Sequence, residues 1–164
     1  MNYLPLPAQI SSPALRAAFA AVPTSVVAVG GLADGSPQVL VASTFTGVSL
    51  DPPLVSICVQ RTVRTWPTLR SLPQLGVSVL AEGTAELVKT LASRHPERFS
   101  GVHWSADSSG AVRLEPAAAY FICTLEDELP AGDHEIVLLR VVGVDVATDH
   151  APLVWHRSGY AAVR

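Results

Sequence analysis

Apolar residues gather along this chain in short runs separated by glycine, proline and hydroxyl-bearing turns, a spacing that predicts strands more often than helices. Ser25 to Gly31 and Gln38 to Leu50 are two β-rich runs joined by the turn residues Ala33-Asp34-Gly35-Ser36-Pro37, which predicts a hairpin. Leu54 to Val59 is a third run and Gly76 to Leu80 a fourth. Tyr120 to Glu126 and Ile136 to Val146 flank Pro130-Ala131-Gly132-Asp133 and read as another hairpin. A closing hairpin joins Leu153 to His156 with Tyr160 to Val163, turning at Ser158-Gly159, where glycine permits the angles of a tight turn. Helical signals are fewer and short. Ser12 to Phe19 has Ser11 or Ser12 at the N-cap and proline in its first turn, and ends before Pro23. Thr65 to Leu72 is a second, and Ala85 to Ser93 a third, with Thr84 at the N-cap and Leu87, Val88 and Leu91 at helical spacing.

Many short strands with few helices predict a mainly β fold: a closed or nearly closed antiparallel barrel rather than a doubly wound sheet. No interior stretch reads as a linker, so residues 1–164 form one domain, with residues 1–10 as a flexible N-terminal arm. Composition adds a second subunit to this picture. Charged residues are 15% of the chain, against about 25% in an average soluble domain. Apolar runs such as Val26 to Val29, Val39 to Ala42 and Val137 to Val144 therefore need a homodimer partner to cover them. A net charge of −3 with scattered arginines argues against nucleic acid as a partner. No apolar segment reaches the roughly 18 residues of a membrane span, and the start lacks the basic and apolar regions of a signal peptide, so the expected location is the cytoplasm. Cys58 and Cys123 sit inside apolar runs without a Cys-x-x-Cys, which predicts buried, reduced thiols.

Candidate chemistry concentrates in Ser43-Thr44-Phe45-Thr46 and in Arg61-Thr62-Val63-Arg64-Thr65-Trp66. Hydroxyls and guanidinium groups at a strand end, just before a helix start, supply directional donors and positive charge where a phosphate could sit. The same residues also suit a plain turn, with Thr62 and Thr65 as caps and the arginines solvated. The five histidines share no metal-ligand spacing, no Gly-x-Ser-x-Gly elbow is present, and the glycine signatures of Rossmann and P-loop sites are missing. In Gly132-Asp133-His134-Glu135 a loop places an imidazole at a strand start beside two carboxylates. Arg157 and Tyr160 bracket the last turn as a cation and a ring, and Arg98, in Glu97-Arg98-Phe99-Ser100-Gly101, is a further phosphate candidate.

These segments, taken in order with Val77-Ser78-Val79-Leu80 and Pro152-Leu153-Val154, resemble the flavin reductase family, the small reductase components of two-component flavin-dependent monooxygenases. The resemblance is collinear from about Leu15 to Val163. It implies an FMN-binding split β-barrel working as a homodimer, with flavin near the subunit seam. NADH or NADPH would give a hydride to FMN, with FAD also possible, and reduced flavin would leave for a partner monooxygenase. It further implies that Ala42, Ser43, Thr44, Phe45 and Thr46 line the isoalloxazine edge, largely through backbone groups. Thr62 and Thr65, with Arg61 or Arg64, would hold the phosphate, with His134 near the nicotinamide and Arg157 and Tyr160 closing that side. Because the cofactor carries the hydride chemistry, the protein only has to orient two rings. Family members often show glycine and threonine where this chain has Val39 and Val41, which removes a possible polar contact to flavin. The alternatives are a flavin- or haem-binding split barrel without turnover and an oxidase of the pyridoxamine-phosphate type; the Gly132-Asp133-His134 element favours the reductase.

Overall fold

The computed structural model describes residues 11–93 and 95–163, so the expected arm over residues 1–10 lies outside the described residues. Helix α1 (Ser12–Ala20) is followed by β1 (Thr24–Ser25), β2 (Val27–Ala33), β3 (Ser36–Ala42), β4 (Thr46–Leu50) and β5 (Pro53–Gln60). Then come α2 (Trp66–Leu69), β6 (Leu75–Leu80), α3 (Ala85–Ala92), β7 (Trp104–Ala106), β8 (Val112–Leu114), β9 (Ala117–Ala131), β10 (His134–Val146), β11 (Leu153–His156) and β12 (Gly159–Ala162). Seven strands form one antiparallel sheet in the order β3-β2-β6-β9-β10-β5-β4, while β1-β11-β12 and β7-β8 form smaller sheets. The mainly β, barrel-like expectation is met.

Side-chain alternation sorts the apolar residues of this sheet into two cores. Val27, Val29, Leu40, Ile57, Val77, Val137 and Leu139 point into the barrel, plugged at one end by Trp66 and Leu69 of α2. Val26, Ala28, Val39, Val112, Leu114 and Leu153 pack outside it, beneath Val88 and Leu91 of α3. Because both faces of β2 are covered, Val26, Val27, Ala28 and Val29 are buried within one chain. They do not need a partner subunit, contrary to the expectation from the bare run. Leu40 and Val39 are likewise buried within the chain.

Close approach of β8 to β6 holds the second core in place. Gly76 lets the β8 backbone cross, since a Cβ there would lie 2.1 Å from the Val112 carbonyl oxygen. Two residues on, the buried Ser78 hydroxyl accepts the Leu114 N–H at 2.9 Å. The hairpin β7–β8 turns where Asp107 accepts the N–H groups of Ser109 at 2.8 Å and Ala111 at 3.1 Å.

Three local readings change. The run Gln38 to Leu50 is not one strand but β3 and β4, broken at Ser43-Thr44-Phe45, where the chain leaves one edge of the sheet to pair with β5 at the other. The last turn places Arg157 (φ 50) and Ser158 (φ 61), not Gly159, in the left-handed region. Both central residues of a two-residue hairpin loop with positive φ match the type I′ twist of the flanking strands, which outweighs the side-chain strain. Thr84 sits at the N-cap of α3 without a capping bond, its hydroxyl donating instead to Ala81 O at 2.7 Å.

Replacing Ser78 by alanine leaves the Leu114 N–H buried and unpaired, and is expected to lower stability by about 1–3 kcal/mol. Gly76→Ala forces the β8 backbone away and should cost more. Denaturant midpoints rank the two; a Gly76→Ala protein as stable as the parent would contradict this crossing.

Candidate functional site

The site is built around the end of β3. Thr44, one turn beyond it, uses its side chain as a substitute ladder: Oγ1 accepts the Cys58 N–H at 2.8 Å and donates to Cys58 O at 3.2 Å. That pair of bonds ties the β3 edge to β5 and closes the barrel where the sheet's own pairing does not. Opposite, β10 begins with His134 in register with Gln60, and the Arg61 N–H donates to Asp133 O at 3.1 Å, fixing the β9–β10 turn against the end of β5. Gly132 (φ 64) supplies the left-handed residue that this turn requires.

Three adjoining cavities follow from this arrangement. One of about 230 Å³ is lined by Ala42, Ser43, Thr44, Gln60, Val63 and His134. A second, also about 230 Å³, shares Ala42 and Ser43 with it and runs to Trp155 and Tyr160 of the closing hairpin, whose rings meet edge-on at 5.0 Å. A third of about 190 Å³ shares Val63 and reaches Thr65, Leu91 and Arg98. Val41 lines all three, giving the groove an apolar floor between polar ends.

The polar ends differ in chemistry. His134 Nδ1 lies 2.8 Å from Asp133 Oδ1. That hydrogen bond, followed by the charge of the ring, holds the Asp133 carboxyl below its ordinary value. An ionised carboxylate only accepts, so the His134 Nδ1 carries the proton of this bond and Nε2 is the ring nitrogen turned away from Asp133. At the other end the half-buried Arg98 guanidinium donates to Leu91 O at 3.0 Å and lies 5.0 Å from the centre of the Phe99 ring, which uses one of its five N–H donors.

Ala42, Ser43, Thr44, Thr65, Arg98, His134 and Tyr160 are thus brought to one groove. Other expected residues stand elsewhere. Phe45 turns into the core, its ring 5.4 Å from that of Phe121, and the exposed Thr46 begins β4 opposite Ser56. Arg61, Thr62 and Arg64 are exposed on the turn after β5 and line none of the three cavities. Arg157 is exposed, its N–H donating to Ala20 O at 2.6 Å. Gln60, Val63 and Trp155 were not legible as site residues, because it is strand register that aligns Gln60 with His134 and the closing hairpin that returns Trp155 to β3.

A mainly β, antiparallel fold with few short helices is the one this chain shares with solved flavin reductases. The chain belongs to that family: residues 19–164 match the flavin reductase like domain. It is a flavin reductase, an oxidoreductase of the NAD(P)H:flavin class. Over 146 residues it is 32% identical to a Pseudomonas putida flavin reductase, covering 88% of this chain and 86% of that one. It is 35% identical over 150 residues to the actinorhodin polyketide dimerase of Streptomyces coelicolor, covering 91% of this chain and 85% of that protein. A 34% identical probable flavin reductase of Rhizobium meliloti is longer, and the match spans 49% of it. The solved NADH:FAD oxidoreductase SgcE6 of Streptomyces globisporus, in complex with NAD and FAD fragments, superposes with a TM-score of 0.87 at 29% identity, covering 96% of this chain and 98% of that one. No described helix is long and apolar enough to cross a membrane, and among the described residues no group of histidine, cysteine and carboxylate side chains is placed to hold a metal ion.

Thr44→Val removes both bonds to Cys58, and because they lie at an exposed position where water can replace them, it should lower stability by about 0.5–1.5 kcal/mol. Flavin binding should weaken with it, while Thr44→Ser should retain both. Thermal melts and flavin titrations check this; a Thr44→Val protein indistinguishable from the parent would show that the barrel closes without this hydroxyl.

Proposed function

We propose that the groove along β3 seats a flavin, FMN or FAD, with its ring over Val41 and Ala42 and its phosphate toward Thr65 and Arg98, and that a nicotinamide from NADH or NADPH enters beside His134 and Tyr160. The observation that carries this reading is the run of adjoining cavities past the end of β3. An apolar floor suits an aromatic ring system, and backbone groups from Ala42 to Thr44 border it. Bound flavin supplies the hydride acceptor, so the chain needs neither a nucleophile nor a metal. Val41, Val63 and Ala42 exclude water from one ring face, Ser43 and Gln60 orient its polar edge, and the Asp133 carboxylate fixes the His134 tautomer at the mouth. Arg61 and Arg64, exposed on the turn after β5 that leads to Thr65, add positive charge on that side, with the neutral Thr62 hydroxyl between them, and Arg157 stands on the closing turn beside the strand that carries Tyr160. Reduced flavin then passes to a partner monooxygenase.

A homodimer completes this reading. After the two cores form, Val142, Val144 and Val146 remain 52%, 63% and 62% exposed along one edge of β10, with Val48 and Leu50 of β4 at 50% and 97%. A second copy covering this apolar edge accounts for the low charge content.

His134→Ala is expected to slow flavin reduction by nicotinamide while leaving flavin affinity nearly unchanged, as stopped-flow reduction beside a flavin titration will show; loss of flavin with an unchanged reduction rate would reverse the assignment of the two sides. Thr65→Ala should weaken FMN by about 10-fold or more and riboflavin hardly at all, since hydrogen bonds to a charged group contribute about 1.5–3 kcal/mol. Equal losses for both ligands would make Thr65 a structural residue. Val144→Asp should yield monomers in light scattering at micromolar concentration, where the parent is a dimer.

A further inference from the structure

A fourth cavity, of about 510 Å³, continues the groove beyond Arg98 and has no part in the seat described above. Ser36, Pro37 and Gln38 of β3 form one wall, with His95, Arg98, Phe99 and Trp104 around the rest. Its size falls among small-molecule sites, which run from about 300 to 1,000 Å³. Arg98 borders both this cavity and the one that holds Thr65.

Strand β3 acts as a ruler. Leu40 to Thr44 border the His134 cavity, Val39 to Val41 the Thr65 cavity, and Ser36 to Gln38 the fourth. At about 3.3 Å per residue, the distance from Ser43 back to Pro37 is roughly 20 Å. An extended ligand whose ring lies at Ala42 and whose phosphate meets Thr65 and Arg98 therefore enters this cavity with whatever follows the phosphate. In FMN nothing follows. In FAD an adenylate does.

The lining has the chemistry for a purine nucleotide. Trp104 projects an exposed ring, 37% accessible, from the β7–β8 hairpin, and a base stacked on it would cover that apolar face. Gln38 offers an amide donor and acceptor of the kind that pairs with the N6 and N7 edge of adenine. His95 accepts the Glu97 N–H on Nδ1 at 3.2 Å, which leaves Nε2–H as a donor in the neutral ring. Among the described residues no carboxylate lines the cavity, and Arg98 supplies positive charge at the end where a diphosphate would enter. We propose that this cavity takes the adenylate half of FAD and makes FAD, rather than FMN, the flavin this enzyme prefers; the proposal rests on the flavin reading of the groove.

The test compares FAD, FMN and adenosine on the full chain. The parent should bind FAD at least about 10-fold more tightly than FMN, and adenosine, which brings no second phosphate to Arg98, should compete with FAD but not with FMN. Trp104→Ala should lose about 10-fold or more in FAD affinity, the magnitude typical of base stacking on an aromatic side chain, with FMN affinity and FMN turnover unchanged. Trp104→Phe should keep most of the preference. Ser36→Phe, at an exposed position on the opposite wall, should narrow the cavity and give the same selective loss without touching the β7–β8 hairpin. Equal affinity of the parent for the two flavins, or parallel losses for both in the variants, would overturn the proposal. A higher KM for NADH with FMN as acceptor in Trp104→Ala would also overturn it, by assigning the cavity to the adenylate of the hydride donor. If the parent binds neither flavin, the flavin reading itself falls, an outcome distinct from binding both equally.

Discussion

The fold depends on one constraint: strand β2 is buried on both faces. Val27 and Val29 face the barrel interior while Val26 and Ala28 face the layer beneath α3, β8 and β11. A strand with water on neither side reads as a continuous apolar run. Everything that covers its outer face must therefore be held tightly against the sheet. The close crossing at Gly76 and the buried Ser78 hydroxyl on the Leu114 N–H are what hold β8 there.

From that two-sided burial the groove follows. Neighbouring β3 pairs with β2 along its whole length and inherits the same division, with Leu40 inside and Val39 outside. Where β3 ends the sheet has an open edge, and an open edge exposes unpaired backbone donors and acceptors. Thr44 satisfies Cys58 across that gap with a side chain instead of a strand, so the barrel closes without filling the space beside it. The remaining space is floored by Val41 and Ala42 and walled by larger side chains from distant elements, among them Trp155, Tyr160, Gln60 and His134. The groove is an unfinished seam in an otherwise well-packed sheet.

Charge is used sparingly and at the margins. Glu128 accepts the Trp66 indole N–H at 2.8 Å and pairs with Arg70, tying the plug helix to β9. Arg140 and Glu126 form a two-point pair across β9 and β10, at 2.7 and 2.6 Å. These are surface ion pairs of modest individual worth. Their effect is to fix α2 and the long hairpin, the elements that carry Thr65 and His134. The exposed valines at the far end of β10 have no such cover within one chain.

Much of this was legible in the sequence. Period-two alternation and turn residues set the barrel class, most of its strands and the three helices, because those depend on local backbone preference and on which face of each segment is apolar. The ordered motifs from Ser43 to Tyr160 carried the family, since side-chain chemistry at a strand end or turn does not need the fold to be recognised. Other features depended on contacts distant in sequence. That Val26 to Val29 are covered within one chain, that Thr44 bridges to β5, that Arg98 reaches the groove while Arg61, Thr62 and Arg64 do not, and that Gln60 faces His134 are all set by register and layer packing. The β7–β8 hairpin was missed because its strands are three residues each and owe their order to β6 beneath them. Local sequence determined which elements form and what chemistry each carries. Only the tertiary structure decided which of them meet, because burial on a given face and pairing across a given edge are properties of the neighbours a segment acquires, not of the segment.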